Sequence, residues 1–126
     1  MANTDNLPYI SPAEIPTAIA AAAVVSRRFV KIAPGGVGNR PKVVHAAAAT
    51  DVPFGVSMTD ALLGKDVGVW RAGVVPVEAG TALTAGATVG PDGTGKAVAS
   101  GANAVWGVVT ADCASGDSAP VALMIG

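Results

Sequence analysis

The segment most like a chemical site is Gly90–Lys96, which has the spacing G-x-x-x-x-G-K of a phosphate-binding loop. Such a loop needs Ser or Thr after the lysine to hold magnesium, and a helix whose N-terminus faces the phosphates. Here Ala97 follows the lysine, and Ser100–Gly101 comes too soon to leave room for a helix. Pro91–Gly93 is typical of a turn. The segment therefore predicts a hairpin turn and no nucleotide site.

The other reactive side chains are isolated along the chain. His45 is the only histidine, and no spacing selects a serine or aspartate partner for it. Cys113 is the only cysteine, which excludes an internal disulfide and a cysteine-rich zinc site. The carboxylates stand singly, without the spacing of an acid–base pair or a calcium loop. We predict that the protein is not an enzyme and uses no cofactor or metal ion. His45 is expected at a surface or an interface, and Cys113 is expected to be a small buried residue or a turn residue.

Small side chains dominate the composition and limit the class of protein. Alanine (26) and glycine (16) supply one third of the 126 residues, whereas the aromatic side chains number five. With 13% charged residues and a net charge of −1, the chain is neither a charge-rich disordered polymer nor a dedicated nucleic-acid binder. A core of Ala and Val buries little area per residue. We therefore expect added stability from contacts with copies of the chain or with a larger partner.

The apolar run Thr17–Val25 is the longest in the chain, yet it is far shorter than the roughly 20 residues that cross a bilayer. Arg27 and Arg28 follow this run, whereas a secretory signal has its basic residues in front. We expect synthesis in the cytoplasm and no membrane contact, which suits a free cysteine in a reducing compartment.

Residues 1–16 differ from the rest of the chain. Proline recurs every fourth residue at Pro8, Pro12 and Pro16, which prevents a sustained helix and leaves an extended path. Frayed termini contain few apolar residues, and this one carries a short cluster of them. A frayed end and an arm that orders on a neighbouring subunit are both open, and the cluster favours the arm. Its candidate contact residues are Leu7, Pro8, Tyr9 and Ile10.

Beyond the arm, residues 17–126 predict a single all-β domain. Apolar residues from Val52 to Met58 alternate with Pro, Gly and Ser, the period-2 pattern of a half-buried strand. Val74–Val77 and Thr88–Val89 each precede a turn, and Ala104–Thr110 and Pro120–Ile125 supply the last strands. Gly and Pro recur every eight to twelve residues, which favours a small barrel or sandwich.

The domain also repeats itself, with one unit over roughly 24–73 and another over 82–126. We align Val24–Ser26 with Ala82–Thr84, and the first unit has a longer loop, Ala33–Arg40. Two similar β-hairpin units of this kind would each bury the apolar face of the other. The clearest matches are Phe54-Gly55-Val56 with Trp106-Gly107-Val108, Asp60 with Asp112, and Gly64 with Gly116.

Two features of the first unit suggest an interface. Within a stretch of 16 positions it carries no acidic residue and five of the eight basic residues, which form either a solvated face or a patch for an acidic partner: Arg27, Arg28, Lys31, Arg40 and Lys42. Trp70 and Arg71 stand where the second unit has aliphatic residues, and Trp and Arg are enriched in binding hot spots. Core packing of Trp70 is the alternative. The candidate interface residues are Arg27, Arg28, Arg40, Trp70 and Arg71.

From about Val24 to Gly126 the chain resembles the capsid decoration, or cement, proteins of tailed bacteriophages. The shared pattern is an apolar strand, a Thr-Ala-Gly turn, a Val-Gly strand, an Asp-Gly hairpin, an aromatic-Gly-Val strand and a closing apolar strand. The segments that carry it are Val77–Gly90, Lys96–Val98, Trp106–Val109 and Val121–Gly126.

This resemblance implies a non-enzymatic β-rich protein that forms a homotrimer on the outer capsid surface and clamps neighbouring major capsid subunits. It also implies that an N-terminal arm, here residues 1–16, contacts the capsid or a neighbouring trimer. The alternative function is a non-enzymatic β module that binds glycan or protein through the Gly-rich loop. The scarcity of aromatic rings disfavours a sugar site.

Overall fold

The computed structural model describes residues 17–37, 40–48 and 50–124, and this part of the chain contains strands and turns but no helix. The prediction of an all-β fold is confirmed. The predicted arm over residues 1–16 lies outside the described residues. The strands are β1 (Thr17–Ala20), β2 (Phe29–Val37), β3 (Arg40–His45), β4 (Gly55–Ser57), β5 (Asp66–Trp70), β6 (Val74–Glu78), β7 (Thr88–Pro91), β8 (Ala97–Ala99), β9 (Gly107–Val109) and β10 (Ser118–Leu123).

The first half of the chain forms a closed five-stranded barrel in the order β1-β3-β2-β4-β5. β1 runs parallel to β3 and antiparallel to β5, and these two pairings close the barrel. A barrel of so few strands has a narrow interior, which accounts for the bias towards small side chains. The buried residues of its core are no bulkier than valine, and the partly buried Phe54 packs against them: Ala18, Ala20, Val24, Val30, Val43, Ala61, Val67 and Val69.

The second half forms a five-stranded sheet in the order β6-β10-β9-β7-β8. A single parallel bridge between Ala79 and Ala97 joins its two ends. Its core is larger and includes Trp106, whose ring meets that of Phe29 edge-to-face with centroids 5.2 Å apart. Phe29, Ala46 and Val56 of the first half are all buried in this core, so the two halves share it.

The two halves have the same order of strand pairing. The strands of the two halves also pair in the same register, residue by residue. The matching pairs are Ala18–Val67 with Val77–Ala119, Phe29–Val56 with Thr88–Val108, and Val56–Trp70 with Val108–Ala122. The Val24–Ala61 bridge matches Leu83–Cys113, so Val24 corresponds to Leu83, one residue later than the sequence alignment had it. The division into an arm and one domain stays a prediction.

The two halves differ at the seam of the second sheet, where β6 and β8 meet only through the Ala79–Ala97 bridge. There, the segment Arg27–Phe29 of the first half lies between the end of β6 and the start of β8. The backbone N–H of Glu78 donates to the carbonyl of Arg27, and the N–H of Phe29 donates to the carbonyl of Gly95, each at 2.8 Å. The inserted segment limits the closure of the second sheet to the Ala79–Ala97 bridge and carries Phe29 into its core.

Two local predictions were wrong. The strand expected around Val52–Met58 is only Gly55–Ser57, with Val52 79% exposed and Ser57 fully buried. Ser57 is tolerated inside because its hydroxyl donates to the Val25 carbonyl at 2.7 Å. The loop expected over Ala33–Arg40 is mostly strand, since β2 runs to Val37 and β3 begins at Arg40.

The glycine of the repeated aromatic-Gly-Val motif has a packing reason. A Cβ on Gly107 would lie 2.4 Å from Val121 Cγ1 and 2.8 Å from the Ala122 carbonyl oxygen. A Cβ on Gly55 would lie 2.3 Å from the Trp70 carbonyl oxygen. Each glycine lets β4 or β9 approach its neighbour closely.

We expect Gly107→Ala to lower the unfolding free energy by about 1–3 kcal/mol, because the added methyl group must displace a buried strand. Thermal or urea denaturation measures this loss. Gly93→Ala is the matched control, since a Cβ there meets nothing within 4 Å. Equal stability of the two variants would contradict the close approach.

Candidate interaction surfaces

The largest charged cluster centres on Glu78, whose side chain is only 17% exposed. Its carboxylate lies 3.3 Å from Arg28, 3.4 Å from Lys96 and 3.9 Å from Arg27. Burial alone would raise the pKa of Glu78, but Arg28 and Lys96 hold that pKa below its usual range. Arg28 also donates to the Thr94 carbonyl at 3.1 Å. The cluster therefore joins the two halves rather than forming a free surface.

Arg27 has a left-handed backbone, with φ of +59°, which is unusual for a residue other than glycine. Gly86 holds the corresponding position in the second half, with φ of +88°. Both N–H groups make the same bond, Arg27 to the Ser57 carbonyl and Gly86 to the Val109 carbonyl. The Arg27 side chain donates to the Ser118 hydroxyl, and this contact opposes the backbone strain of about 1–2 kcal/mol.

Two of the three other predicted basic residues also meet carboxylates of the same chain. Lys31 lies 3.2 Å from Asp51, and Arg40 pairs with Asp66. The basic segment is therefore largely neutralised internally and offers an acidic partner less charge than the sequence suggests. A role of Arg27, Arg28 and Arg40 at an interface stays a prediction.

Trp70 and Arg71 do not act as a pair. The Trp70 ring is half-buried against the shared core of the two halves. The Arg71 guanidinium lies over the Phe54 ring, 4.5 Å from its centroid, and its Nε donates to the Phe54 carbonyl at 2.9 Å. Arg71 thus shields an aromatic ring that would otherwise be more open to solvent. Their contribution to an interface also stays a prediction.

An open groove of about 390 Å³ lies on the outer side of β2 and β3. Its lining is aliphatic, apart from the Lys31–Asp51 ion pair: Ile32, Ala33, Pro34, Val44 and Val52. Asp51 is held by the N–H groups of Ala47 and Ala48 at 2.9 and 3.0 Å, and these bonds lower its pKa. Among the described residues that line it there is no aromatic ring, and such rings are the stacking platforms on which sugar sites depend.

The side chains that the sequence singled out for possible chemistry form hydrogen bonds that hold the fold together. As predicted, the Gly90–Lys96 segment is a hairpin turn, in which Asp92 Oδ1 accepts the N–H groups of Thr94 and Lys96 at 2.8 and 3.0 Å. His45 Nε2 accepts the Val25 N–H at 2.9 Å, which requires a neutral ring, and burial lowers the pKa of His45.

Two negative findings hold for the residues that the structure describes. They contain no group of three or more His, Cys, Asp or Glu side chains placed to hold a metal ion. Among the same residues, no helix is long and apolar enough to cross a membrane.

Several exposed apolar side chains were missed by the sequence analysis. Leu62 and Leu63 are 71% and 69% exposed at a turn, and Val74 and Met124 are 59% and 61% exposed on the second sheet. When the correspondence of Ala61 with Cys113 is extended by two residues, Leu62 and Leu63 of the first unit correspond to Ala114 and Ser115 of the second. The presence of two large apolar residues where the other unit has small ones is the sequence signal that could have identified this exposed pair.

We expect Glu78→Gln to lower the unfolding free energy at neutral pH by about 1–3 kcal/mol, because two cations lose a largely buried carboxylate. The pKa of Glu78 is lower in the folded protein, so its contribution is present above the unfolded value of about 4.3 and is lost as the pH falls further. Denaturation curves should therefore converge for the two proteins in acid.

The control is Asp66→Asn, which removes the carboxylate of the exposed Arg40–Asp66 pair. That change should cost less than about 1 kcal/mol. A Glu78→Gln variant no less stable than Asp66→Asn at neutral pH would show that the cluster does not hold the halves together.

Comparison with known proteins agrees with this arrangement. A family model described as phage cement protein matches residues 10–125. The solved structure of the head fiber gp8.5 N base of bacteriophage phi29 has a similar fold, with a TM-score of 0.72 and 22% sequence identity over 90% of this chain and 95% of that chain. No curated protein sequence matches. The extent of the family match shows that the chain belongs to the phage cement protein family.

Proposed function

We propose that the protein is a bacteriophage head decoration protein that binds the outside of the assembled capsid as a homotrimer and stabilises it. The observation that carries this proposal is the family match over residues 10–125. The partner would be the major capsid protein, and the function would need no cofactor or reaction. Exposed apolar residues such as Leu62 and Leu63 supply surface that a large partner can cover.

The mechanism we envisage is mechanical. A rigid unit that touches adjacent capsid subunits adds buried area across their joint, and this area must be exposed again before the subunits separate. Three equivalent contacts on one trimer bind far more tightly than one contact, because each bound site raises the local concentration of the next. The shared core and the Glu78 cluster favour this role, since they prevent the two halves from moving independently.

The alternative is a module that binds glycan or protein through the groove on β2 and β3. Its aliphatic lining favours an apolar protein segment over a sugar. Binding of an apolar peptide by the parent chain that is lost on substitution of Ile32 in that groove, together with no binding of the parent chain to heads, would favour the alternative.

We expect heads that carry the protein to retain DNA at higher temperature than heads from which it is absent. The measurement is DNA release on heating, or on EDTA treatment, with purified protein added back to the depleted heads. Equal DNA retention in the two samples would reject the stabilising role, and failure of the protein to bind would reject decoration itself.

A second expectation concerns the arm. Deletion of residues 1–16 should leave a folded trimer but weaken binding to heads, because Leu7–Ile10 would supply part of the contact. Deletion of residues 1–6 is the control, since it keeps this apolar cluster. Full occupancy of heads by the longer deletion would reject the role of the arm.

A further inference from the structure

We propose that the outer face of the second sheet is the surface through which copies of this chain bind one another. This face is built by Val74 and Pro76 on β6, Pro120 and Ala122 on β10, and Val108 on β9. The inference rests on the proposed homotrimer and names the surface that would form it.

The face is defined by the alternation of the strands. Val75, Val77, Val109, Ala119 and Val121 point inwards and are buried in the shared core. The residues between them therefore point outwards. The register places Val74, Ala122 and Val108 side by side in one row across three strands.

This outer face is uncharged. None of its residues is Asp, Glu, Lys or Arg, and Met124, which extends the face beyond β10, is also apolar and exposed. The nearest outward carboxylate on β6 is Glu78, which is already bound to Arg28 and Lys96. Depletion of charge at the centre of a patch is characteristic of protein interfaces.

The repeat identifies the occupant as another copy of the chain. The row Thr88–Val108–Ala122 corresponds in register to Phe29–Val56–Trp70 in the first half. In the first half, that row packs against the core of the second half. The same surface of the repeated unit is therefore already an interface between two such units. Among the residues described, the second row is left without a partner unit.

The two rows differ in a way that suits different partners. Thr88 and Ala122 replace the rings of Phe29 and Trp70, so the second row is flatter and cannot fill an open core. Pro76 also removes an N–H from the edge strand β6, which disfavours addition of a strand from another molecule. We therefore infer contact between sheet faces rather than extension of the sheet.

The test is the mass of the full-length chain in solution, by light scattering or sedimentation. We expect Val108→Glu with Ala122→Glu to reduce the trimer to the mass of one chain, because each substitution places a carboxylate in the centre of the face. Val74→Glu is a second variant whose side chain is already mostly in solvent, so it retains the fold and weakens the trimer. Circular dichroism confirms folding.

The matched control is Leu62→Glu with Leu63→Glu, which adds the same charges to a more exposed apolar pair in the first half. This control should leave the trimer intact. A trimer that survives both Val74→Glu and the double substitution, or that dissociates only in the control, overturns the inference.

A parent chain that is a monomer in solution also overturns it, while binding of that monomer to heads would leave the decoration proposal standing. Conversely, a trimer that needs this face but never binds heads would support the inference and reject decoration. The two proposals therefore fail in different measurements.

Discussion

The fold depends on a short piece of backbone, Arg27–Phe29, that lies between the ends of the second sheet. It takes up the N–H of Glu78 and the carbonyl of Gly95, which would otherwise be available to each other across the seam. The same piece carries Phe29 into contact with Trp106 and places Arg28 beside Glu78. One insertion thus accounts both for the weaker closure of the second sheet, which has only the Ala79–Ala97 bridge, and for the core that the halves share.

The Glu78 cluster fixes the position of the Arg27–Phe29 segment relative to the second sheet. Apolar contact alone holds side chains together with little preference for register, whereas a largely buried carboxylate must meet its cations. Arg28 reaches both Glu78 and the Thr94 carbonyl, on either side of the seam. A shifted segment would leave a buried charge without its partner, so the cluster favours one arrangement of the two halves.

Much of the local structure could be predicted because its causes lie within a few residues. The Asp92 turn and the strand that ends at Glu78 follow from the chemistry of neighbouring positions. The misses have distant causes. Ser57 is tolerated inside because Val25 accepts its hydroxyl, and four of the five residues of the basic patch meet Glu78, Asp51 or Asp66. The sequence alone does not show which residues so far apart in the chain form pairs. It also favoured Trp70 as an interface residue, although Leu62 and Leu63 are the more exposed side chains.

The shared core also sets an order for folding. The core of the first barrel consists entirely of first-half residues, so that barrel can close as soon as β5 has been synthesised. The core of the second half needs Phe29, Ala46 and Val56, which precede it in the chain. Because translation proceeds from the N-terminus, Trp106 leaves the ribosome after these three residues but before Ala119 and Val121, which complete the core around it. The first barrel thus supplies part of the core against which the second half folds.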